Sequence, residues 1–223
     1  MGYTPGGAEG DYTGAIDAFA AINWTIRDNY IYNLNGNGTG CEVFDCSIIY
    51  TPGPAITLWQ GSQGGVIERN TIVNSFRGIT LGLGTPHDGG VVRNNFIYQT
   101  ESGLDAGIEL WNASNVLVEH NTVLLNGYRG AIEFGGAPGT TIRNNLLSAE
   151  PWDRSGSRGA SPGAALVGNI ANGSFGDLVS TNGPELSAGS QAIGAGVMSP
   201  LSTDFAGDYR VDRYDVGADQ FGR

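Results

Sequence analysis

The chain contains no lysine, so its 11 basic residues are all arginines, and they stand against 22 acidic residues. The net charge of −11 argues against a nucleic-acid-binding protein, because such proteins need a basic face. It argues equally against attachment to an anionic membrane surface. The missing lysine also excludes a lysine base in catalysis, although a local arginine cluster can still bind an anionic sugar.

Histidine and cysteine are also scarce, with two residues of each. Two histidines are too few for a typical histidine-based metal site. Cys41 and Cys46 lie in a long insertion, residues 33–54, where they either form a small disulfide loop in an oxidising compartment or remain thiols. No apolar stretch is long enough to cross a bilayer, and the first residues lack the apolar segment of a signal peptide.

The chain is rich in copies of one phrase, in which β-branched residues surround an asparagine, as in Val66-Ile-Glu-Arg-Asn70-Thr-Ile-Val. Each phrase reads as a strand. From Asn70 onward the recurring asparagines are 25, 26, 24 and 24 residues apart, and a fixed period in this range indicates a solenoid. The asparagines of the phrase, including a weaker last copy, are Asn29, Asn70, Asn95, Asn121, Asn145 and Asn169.

A second short strand recurs in most periods and is marked by an isoleucine. Two strands and two turns in about 25 residues leave no room for a helix of normal length. The pattern therefore predicts an all-β parallel β-helix over residues 1–170, with coils stacked about 4.8 Å apart. The marker isoleucines are Ile16, Ile56, Ile79, Ile108 and Ile132.

Two ladders of polar residues are expected to be structural. Stacked asparagines can hold the corners of successive coils, because an amide side chain both donates and accepts hydrogen bonds and Asn tolerates a left-handed backbone. Two residues before each asparagine, the charge alternates in sign from coil to coil, which favours pairing between neighbouring strands. The residues of this charge ladder are Arg27, Glu68, Arg93, Glu119 and Arg143.

The clearest candidates for chemistry are Glu109 and Glu133, which follow the marker isoleucine in neighbouring coils. Both should point outward, about one strand spacing apart, where like charges repel. Three readings remain open: a structural salt bridge to Arg77 or Arg129, a bound Ca²⁺ ion, or a catalytic pair in which one carboxyl has a raised pKa. A separation of about 5 Å is also typical of the two carboxyls in retaining glycosidases.

Aromatic side chains on the same face are candidates for stacking on sugar rings. Trp59 and Trp111 occupy equivalent positions, and Gly82 is the matching residue of the coil between them. Tyr128 is expected to join them. His87 lies in a turn-like, glycine-rich segment and is a further substrate-binding candidate, the alternative being a solvated loop histidine.

After Glu150 the repeat loosens. Residues 151–162 read as an exposed loop. Residues 171–223 are predicted to form a non-repeating C-terminal cap or tail, in which Asp204 and Arg210 pair and the segment covers the last coil. The aspartates of this tail do not have the spacing of an EF-hand loop.

The phrases Val-Glu-His-Asn121-Thr-Val and Ile-Arg-Asn-Asn145, with the ending Asp204-Phe-Ala-Gly-Asp-Tyr-Arg210, resemble bacterial secreted proteins of the pectin-lyase-like superfamily. The resemblance implies a right-handed parallel β-helix and a secreted or cell-surface location. The superfamily includes polysaccharide lyases, glycoside hydrolases, epimerases and non-catalytic modules, so the fold does not select among them. Its lyases often use a Lys or Arg base with calcium, and no family catalytic residue can be matched here by motif.

The leading hypothesis is an extracellular, monomeric lyase or hydrolase that acts on an acidic polysaccharide. Glu109 and Glu133 would be its acid/base or calcium-binding pair, and Arg77 and Arg129 would neutralise a uronate carboxylate. The alternative is a non-catalytic carbohydrate-binding or surface-structural module. The missing lysine favours this alternative, as does the expectation that the chain is the C-terminal part of a longer solenoid.

Overall fold

The predicted parallel β-helix is confirmed by the computed structural model, which describes residues 14–34, 53–158, 163–210 and 213–222. Each full coil contributes one short strand to each of three parallel sheets. The predicted pairing of Cys41 and Cys46 lies outside the described residues.

The first coil consists of β1 (Ile16–Phe19), β2 (Thr25–Arg27) and β3 (Tyr30–Tyr32). Four further coils repeat this triplet, and β16 and β17 continue two of the sheets. A short helix, α1 (Ser155–Arg158), and a 3-10 turn (Phe175–Asp177) complete the described elements. The remaining strands are β4 (Ile56–Trp59), β5 (Val66–Glu68), β6 (Thr71–Val73), β7 (Ile79–Asp88), β8 (Val91–Arg93), β9 (Phe96–Tyr98), β10 (Ile108–Ser114), β11 (Leu117–Glu119), β12 (Thr122–Leu124), β13 (Ile132–Gly135), β14 (Thr141–Arg143), β15 (Leu146–Leu147), β16 (Trp152–Asp153) and β17 (Ala165–Val167).

The first sheet has the strand order β1-β4-β7-β10-β13-β16, the second β2-β5-β8-β11-β14-β17, and the third β3-β6-β9-β12-β15. The asparagine phrase is therefore not one strand, as its composition predicts, but two strands of different sheets. The chain turns at the ladder asparagine, so residues before it pair in the second sheet and residues after it pair in the third.

Stacks of equivalent aliphatic side chains fill the interior. The marker isoleucines of the first sheet, Ile56, Ile79, Ile108 and Ile132, have no exposed surface. The side chain before each charge of the second sheet also faces the core, as the alternation along a strand predicts. These residues are Ile26, Ile67, Val92, Val118 and Ile142.

The asparagine ladder is confirmed, and Asn121 shows its pattern. The Asn121 Nδ2 group donates to Asn145 Oδ1 at 2.9 Å and to the carbonyls of Glu119 at 3.2 Å and Val92 at 2.9 Å. Its Oδ1 accepts from the backbone N–H of Asn95 at 3.0 Å and from Asn95 Nδ2 at 2.9 Å. The Asn121 amide thus joins three coils through buried hydrogen bonds.

The left-handed backbone at the corner belongs to the residue before each ladder asparagine. The prediction that the asparagine itself adopts this conformation is therefore wrong. At this position the chain bends from a strand of the second sheet into a strand of the third. The residues with this geometry form what we call the corner column: Asp28 (φ 59°), Arg69 (φ 52°), Asn94 (φ 50°), His120 (φ 52°), Asn144 (φ 54°) and Gly168 (φ 62°).

The charge ladder pairs as predicted in the centre of the stack. The Arg93 guanidinium lies 2.8 Å from a carboxylate oxygen of Glu68, and Arg143 lies 2.8 Å from one of Glu119. The same Glu119 oxygen also accepts a hydrogen bond of 2.8 Å from the Ser199 hydroxyl. Glu119 therefore fixes the tail as well as the sheet.

The tail packs along the side of the coils instead of covering the last one. Side chains that point outward from the third sheet form a second apolar cluster with tail residues, whose members are Phe96, Leu124, Leu146, Leu178, Leu186, Ala192 and Val216. Leu166, the core-facing residue of β17, keeps 47% of its surface exposed. The predicted Asp204–Arg210 pair is replaced by hydrogen bonds from Arg210 to backbone carbonyls and to Asn94.

Residues 151–158 are not the exposed loop that their composition predicts. They contain β16, whose Trp152 lies in register with Glu133, and α1, whose Ser155 is buried. Among the described residues, no helix has the length and apolar character needed to span a membrane.

Candidate functional site

Glu109 and Glu133 lie side by side on the outer face of the first sheet, because they are register partners in β10 and β13. The neighbours of Glu109, Ile108 and Leu110, and those of Glu133, Ile132 and Phe134, point into the core. The predicted outward direction is therefore right, but the exposure it implied is wrong. Glu109 is 3% exposed and Glu133 is 1% exposed, since other side chains fold over them.

Glu133 is held by two partners on its two oxygens. The Tyr128 hydroxyl donates to Oε1 at 2.7 Å, and Arg154 Nη1 donates to Oε2 at 2.5 Å. A charge-assisted bond of this kind is shorter and stronger than a bond between neutral groups. Burial, Asp105 and the Glu133 carboxylate raise the pKa of the Tyr128 hydroxyl, so Tyr128 stays protonated and acts as a donor.

Glu109 has a weaker set of partners. Arg77 Nη1 lies 3.4 Å from its Oε2, and the Thr80 hydroxyl lies 3.4 Å from the same oxygen. Arg77 bonds Asp105 more closely, at 2.5 Å. Burial raises the pKa of Glu109, Arg77 lowers it, and the charges of Asp105 and Glu133 raise it further. The two neighbouring carboxyls thus differ in surroundings.

Arg129 does not pair with the carboxylates, in contrast to one of the predicted salt bridges. Its guanidinium lies 3.0 Å from the ring centroid of Trp152, and the Arg154 guanidinium lies 5.0 Å from that ring. The salt bridge to Glu133 is formed by Arg154, and not by Arg129. Arg129 itself is exposed on the outer surface.

Trp111 and Trp59 lean in opposite directions along the sheet. The Trp111 indole packs directly over Gly135 of the following coil, where any added Cβ atom would strike the ring. Trp59 stacks on Phe19 of the preceding coil at 4.6 Å between centroids, and its Nε1 donates to Asp17 at 2.7 Å. The two indoles therefore lean away from each other and from Gly82, the matching residue of the coil between them. Of these two tryptophans, Trp111 is the one that borders the carboxylate pair, since it lies two residues from Glu109 on the same face.

His87 is not a solvated loop histidine. It lies within β7, in register with Ala113, and its side chain is fully buried. Its Nε2 lies 2.8 Å from the carbonyl oxygen of Gly89, and burial lowers its pKa. A polysaccharide on the surface cannot reach this ring.

Sequence reasoning missed three residues of the cluster: Asp105, Trp152 and Arg154. Asp105 lies in the turn that leads into β10, and the other two follow a shortened coil in which the marker isoleucine is replaced. The spacing of 19 residues from Glu133 to Trp152, instead of about 24, concealed the last strand of the first sheet. The available signal for this strand was the aromatic Trp152 directly before the polar residues Asp153 and Arg154.

The carboxylates of this cluster already have cationic partners. In the described part of the chain, no group of three or more His, Cys, Asp or Glu side chains is arranged to hold a metal ion. A calcium ion between Glu109 and Glu133 would compete with Arg77 and Arg154 for the same oxygens. Calcium binding stays a prediction.

A family model described as the right-handed β-helix region matches residues 22–183, which is more than half of the chain. The match includes every residue of the carboxylate cluster. The comparison with curated proteins finds no match. The three parallel sheets, the asparagine ladder and this match agree, and the chain belongs to the right-handed β-helix family.

Proposed function

We propose that this chain is a secreted or cell-surface, monomeric β-helix module that binds a polysaccharide without cleaving it. The supporting observation is that Glu109 and Glu133 are engaged in contacts within the chain. Both are buried, and each is bonded to an arginine of the same chain. A carboxylate pair that contacts its own arginines in this way serves the fold, because leaving either charge unpaired would cost several kcal/mol, about 3 to 5.

The binding surface in this proposal is the outer face of the first sheet beside that cluster. Trp111 and Tyr128 are partly exposed there, and Arg129 is exposed with its guanidinium held on Trp152. Aromatic rings offer a large apolar face with few rotatable bonds, which suits stacking on a sugar. An arginine beside them suits a carboxylate or sulfate group. We define these four residues as the aromatic strip.

Trp111→Ala is expected to weaken polysaccharide binding about 10-fold, as the loss of a central aromatic anchor does at other interfaces. Affinity electrophoresis in gels that contain pectate, alginate, a glycosaminoglycan or a neutral glucan would measure the change. The retardation of the wild-type protein would also identify the sugar class. Circular dichroism would check that the variant is folded.

Trp24→Ala is the matched control, because Trp24 is another tryptophan with 51% of its surface exposed but lies at the first coil, outside the strip. Its affinity should equal that of the wild type. No retardation of the wild-type protein by any of these sugars, or equal losses in both variants, would contradict the proposal.

A second candidate function is retaining glycoside hydrolysis. The observation that favours it is the difference in surroundings of the two carboxyls: burial raises the pKa of Glu109, whereas Glu133 is hydrogen-bonded by Arg154 and Tyr128. Different surroundings are how acid and nucleophile are distinguished in catalytic carboxylate pairs. Glu109 would protonate the leaving oxygen, and Glu133 would attack the sugar.

If hydrolysis occurs, Glu109→Gln and Glu133→Gln should each lower turnover by at least about 100-fold, because general acid and nucleophile each contribute factors of this size. Reducing-end release on the same sugars is the measurement. Ultraviolet absorbance of the unsaturated product would detect β-elimination, which is the lyase alternative. Turnover that both Gln variants retain would exclude the pair from catalysis, and no turnover in the wild type would leave binding as the function.

A further inference from the structure

The residues at the centre of the corner column also form hydrogen bonds with the tail. Asn94 donates through Nδ2 to the carbonyl of Thr203 at 2.9 Å. Its Oδ1 accepts from Arg210 Nη2 at 3.2 Å. The Arg210 guanidinium is buried and also donates to the carbonyls of Gly217 and Ala218, each at 3.0 Å. One corner residue thus anchors two segments of the tail.

Asn144, two positions further along the column, holds the tail in the same way. Its Oδ1 accepts from the backbone N–H of Val197 at 2.9 Å, and its Nδ2 donates to the Val197 carbonyl at 2.8 Å. Its own carbonyl accepts from the N–H of Gly217 at 2.8 Å. Both amides therefore bind tail backbone rather than solvent.

His120 lies between these two amides and is fully buried. Asn144 Nδ2 lies 3.0 Å from His120 Nε2, and because an amide nitrogen can only donate, Nε2 must be the unprotonated acceptor. The other ring nitrogen, Nδ1, is buried without a hydrogen bond of normal geometry. The backbone carbonyls of Asp215 and Gly217 in the tail also act on the ring and favour its charged form. A proton on Nε2 would break the contact with Asn144.

Two positive charges face the ring from the elements packed against it. Arg210 approaches from the tail and Arg143 from β14. Burial and these two arginines lower the pKa of His120 to about 2. An exposed imidazole has a pKa of about 6.5. The docked tail therefore requires a neutral ring, and a detached tail allows a charged one.

We propose that Asn94, His120 and Asn144 form a proton-sensitive latch, which holds the tail on the side of the coils at neutral pH and releases it when His120 takes up a proton. Below pH 6.5 the detached state binds a proton that the docked state excludes. The stability of the docked state consequently falls as pH falls through this range. The release would uncover the apolar side chains of the third sheet that the tail now covers.

Other titratable groups of the tail act on the same equilibrium. Burial raises the pKa of Asp219 to about 6, so this carboxyl favours the docked state at mildly acidic pH and opposes His120. Asp204 and Asp215 lie near Arg210, and Glu119 is bound to Arg143 and Ser199. The test must therefore isolate the contribution of His120.

His120→Asn isolates it, because the variant cannot be protonated and places in the column the same residue that stands at positions 94 and 144. Hydrogen exchange at the Val197 and Gly217 amides, corrected for intrinsic rates, measures tail release. Because Asp219 acts equally in both proteins, the ratio of variant to wild-type protection should rise about 30-fold between pH 7.5 and pH 5. The amides of the asparagine ladder should show no such rise.

His87→Gln is the matched control, since it removes the only other histidine, which is also buried but lies in β7 away from the tail. Its ratio should stay constant with pH. A constant ratio for His120→Asn, or the same rise in both variants, would overturn the proposal. If His120→Asn does not fold, a pH titration of the wild type followed by nuclear magnetic resonance provides the test. The chemical shifts of the tail amides should change with the same midpoint as protonation of the His120 ring. Separate midpoints would refute the latch.

Discussion

Asn121→Ala is expected to lower the free energy of unfolding by about 4 kcal/mol, because each buried group left without a partner costs roughly 1–3 kcal/mol. The substitution removes an amide that bonds Asn95 on one side and Asn145 on the other, besides two backbone carbonyls. An alanine methyl group cannot replace any of these bonds. Urea denaturation followed by circular dichroism would measure the change.

Asn29→Ala provides the matched control at the first coil. Asn29 makes the same bond to the next asparagine, 2.9 Å to Asn70 Oδ1, but it is only partly buried. Water can satisfy the groups that its loss exposes, so the expected cost is below about 1.5 kcal/mol. Equal losses in the two variants would show that burial does not set the strength of the ladder.

Arg154→Ala is expected to cost about 3 to 5 kcal/mol of stability, since it leaves the carboxylate of Glu133 buried without its cation. The charge that remains lies beside Glu109, whose own arginine is 3.4 Å away and shared with Asp105. Thermal and urea denaturation at neutral pH would measure the loss. A second substitution, Glu133→Gln, should restore much of the stability because it removes the stranded charge.

Arg129→Ala tests the same region without touching a carboxylate. Both arginines contact the Trp152 ring, but Arg129 is exposed and is expected to contribute about 0.5–1 kcal/mol through that contact. A loss as large as that of Arg154→Ala would mean that the indole contact, and not the salt bridge, stabilises the cluster. Failure of Glu133→Gln to rescue Arg154→Ala would point to the same conclusion.

Local patterns predicted the coils because each pattern arises from contacts that repeat at a fixed period. The asparagine phrases predicted the ladder, and the alternation around Arg93, Glu119 and Arg143 predicted the charge pairs that the structure contains. The number of strands per coil was not predictable in the same way. A phrase of β-branched residues favours extended backbone on both sides of a corner and does not reveal where the chain turns.

The carboxylate pair was predictable only in part. The positions of Glu109 and Glu133 in the repeat establish that they are neighbours on the outer face. Their burial depends on Tyr128 and Arg154, which come from turns whose lengths do not follow the repeat. Sequence patterns carry little information on how far such a turn folds back over a sheet.

The amino-acid sequence by itself determined the stacking of the coils, the ladder that links them and the inward and outward faces of each strand. These properties follow from hydrogen-bonding capacity and from the two-residue period of a strand. The tertiary structure alone decided that Arg154 binds Glu133, that His120 is sealed beneath the tail and that the tail lies along the coils. Each of these contacts joins residues that have no shared period, so only the packing of one segment against another brings them together.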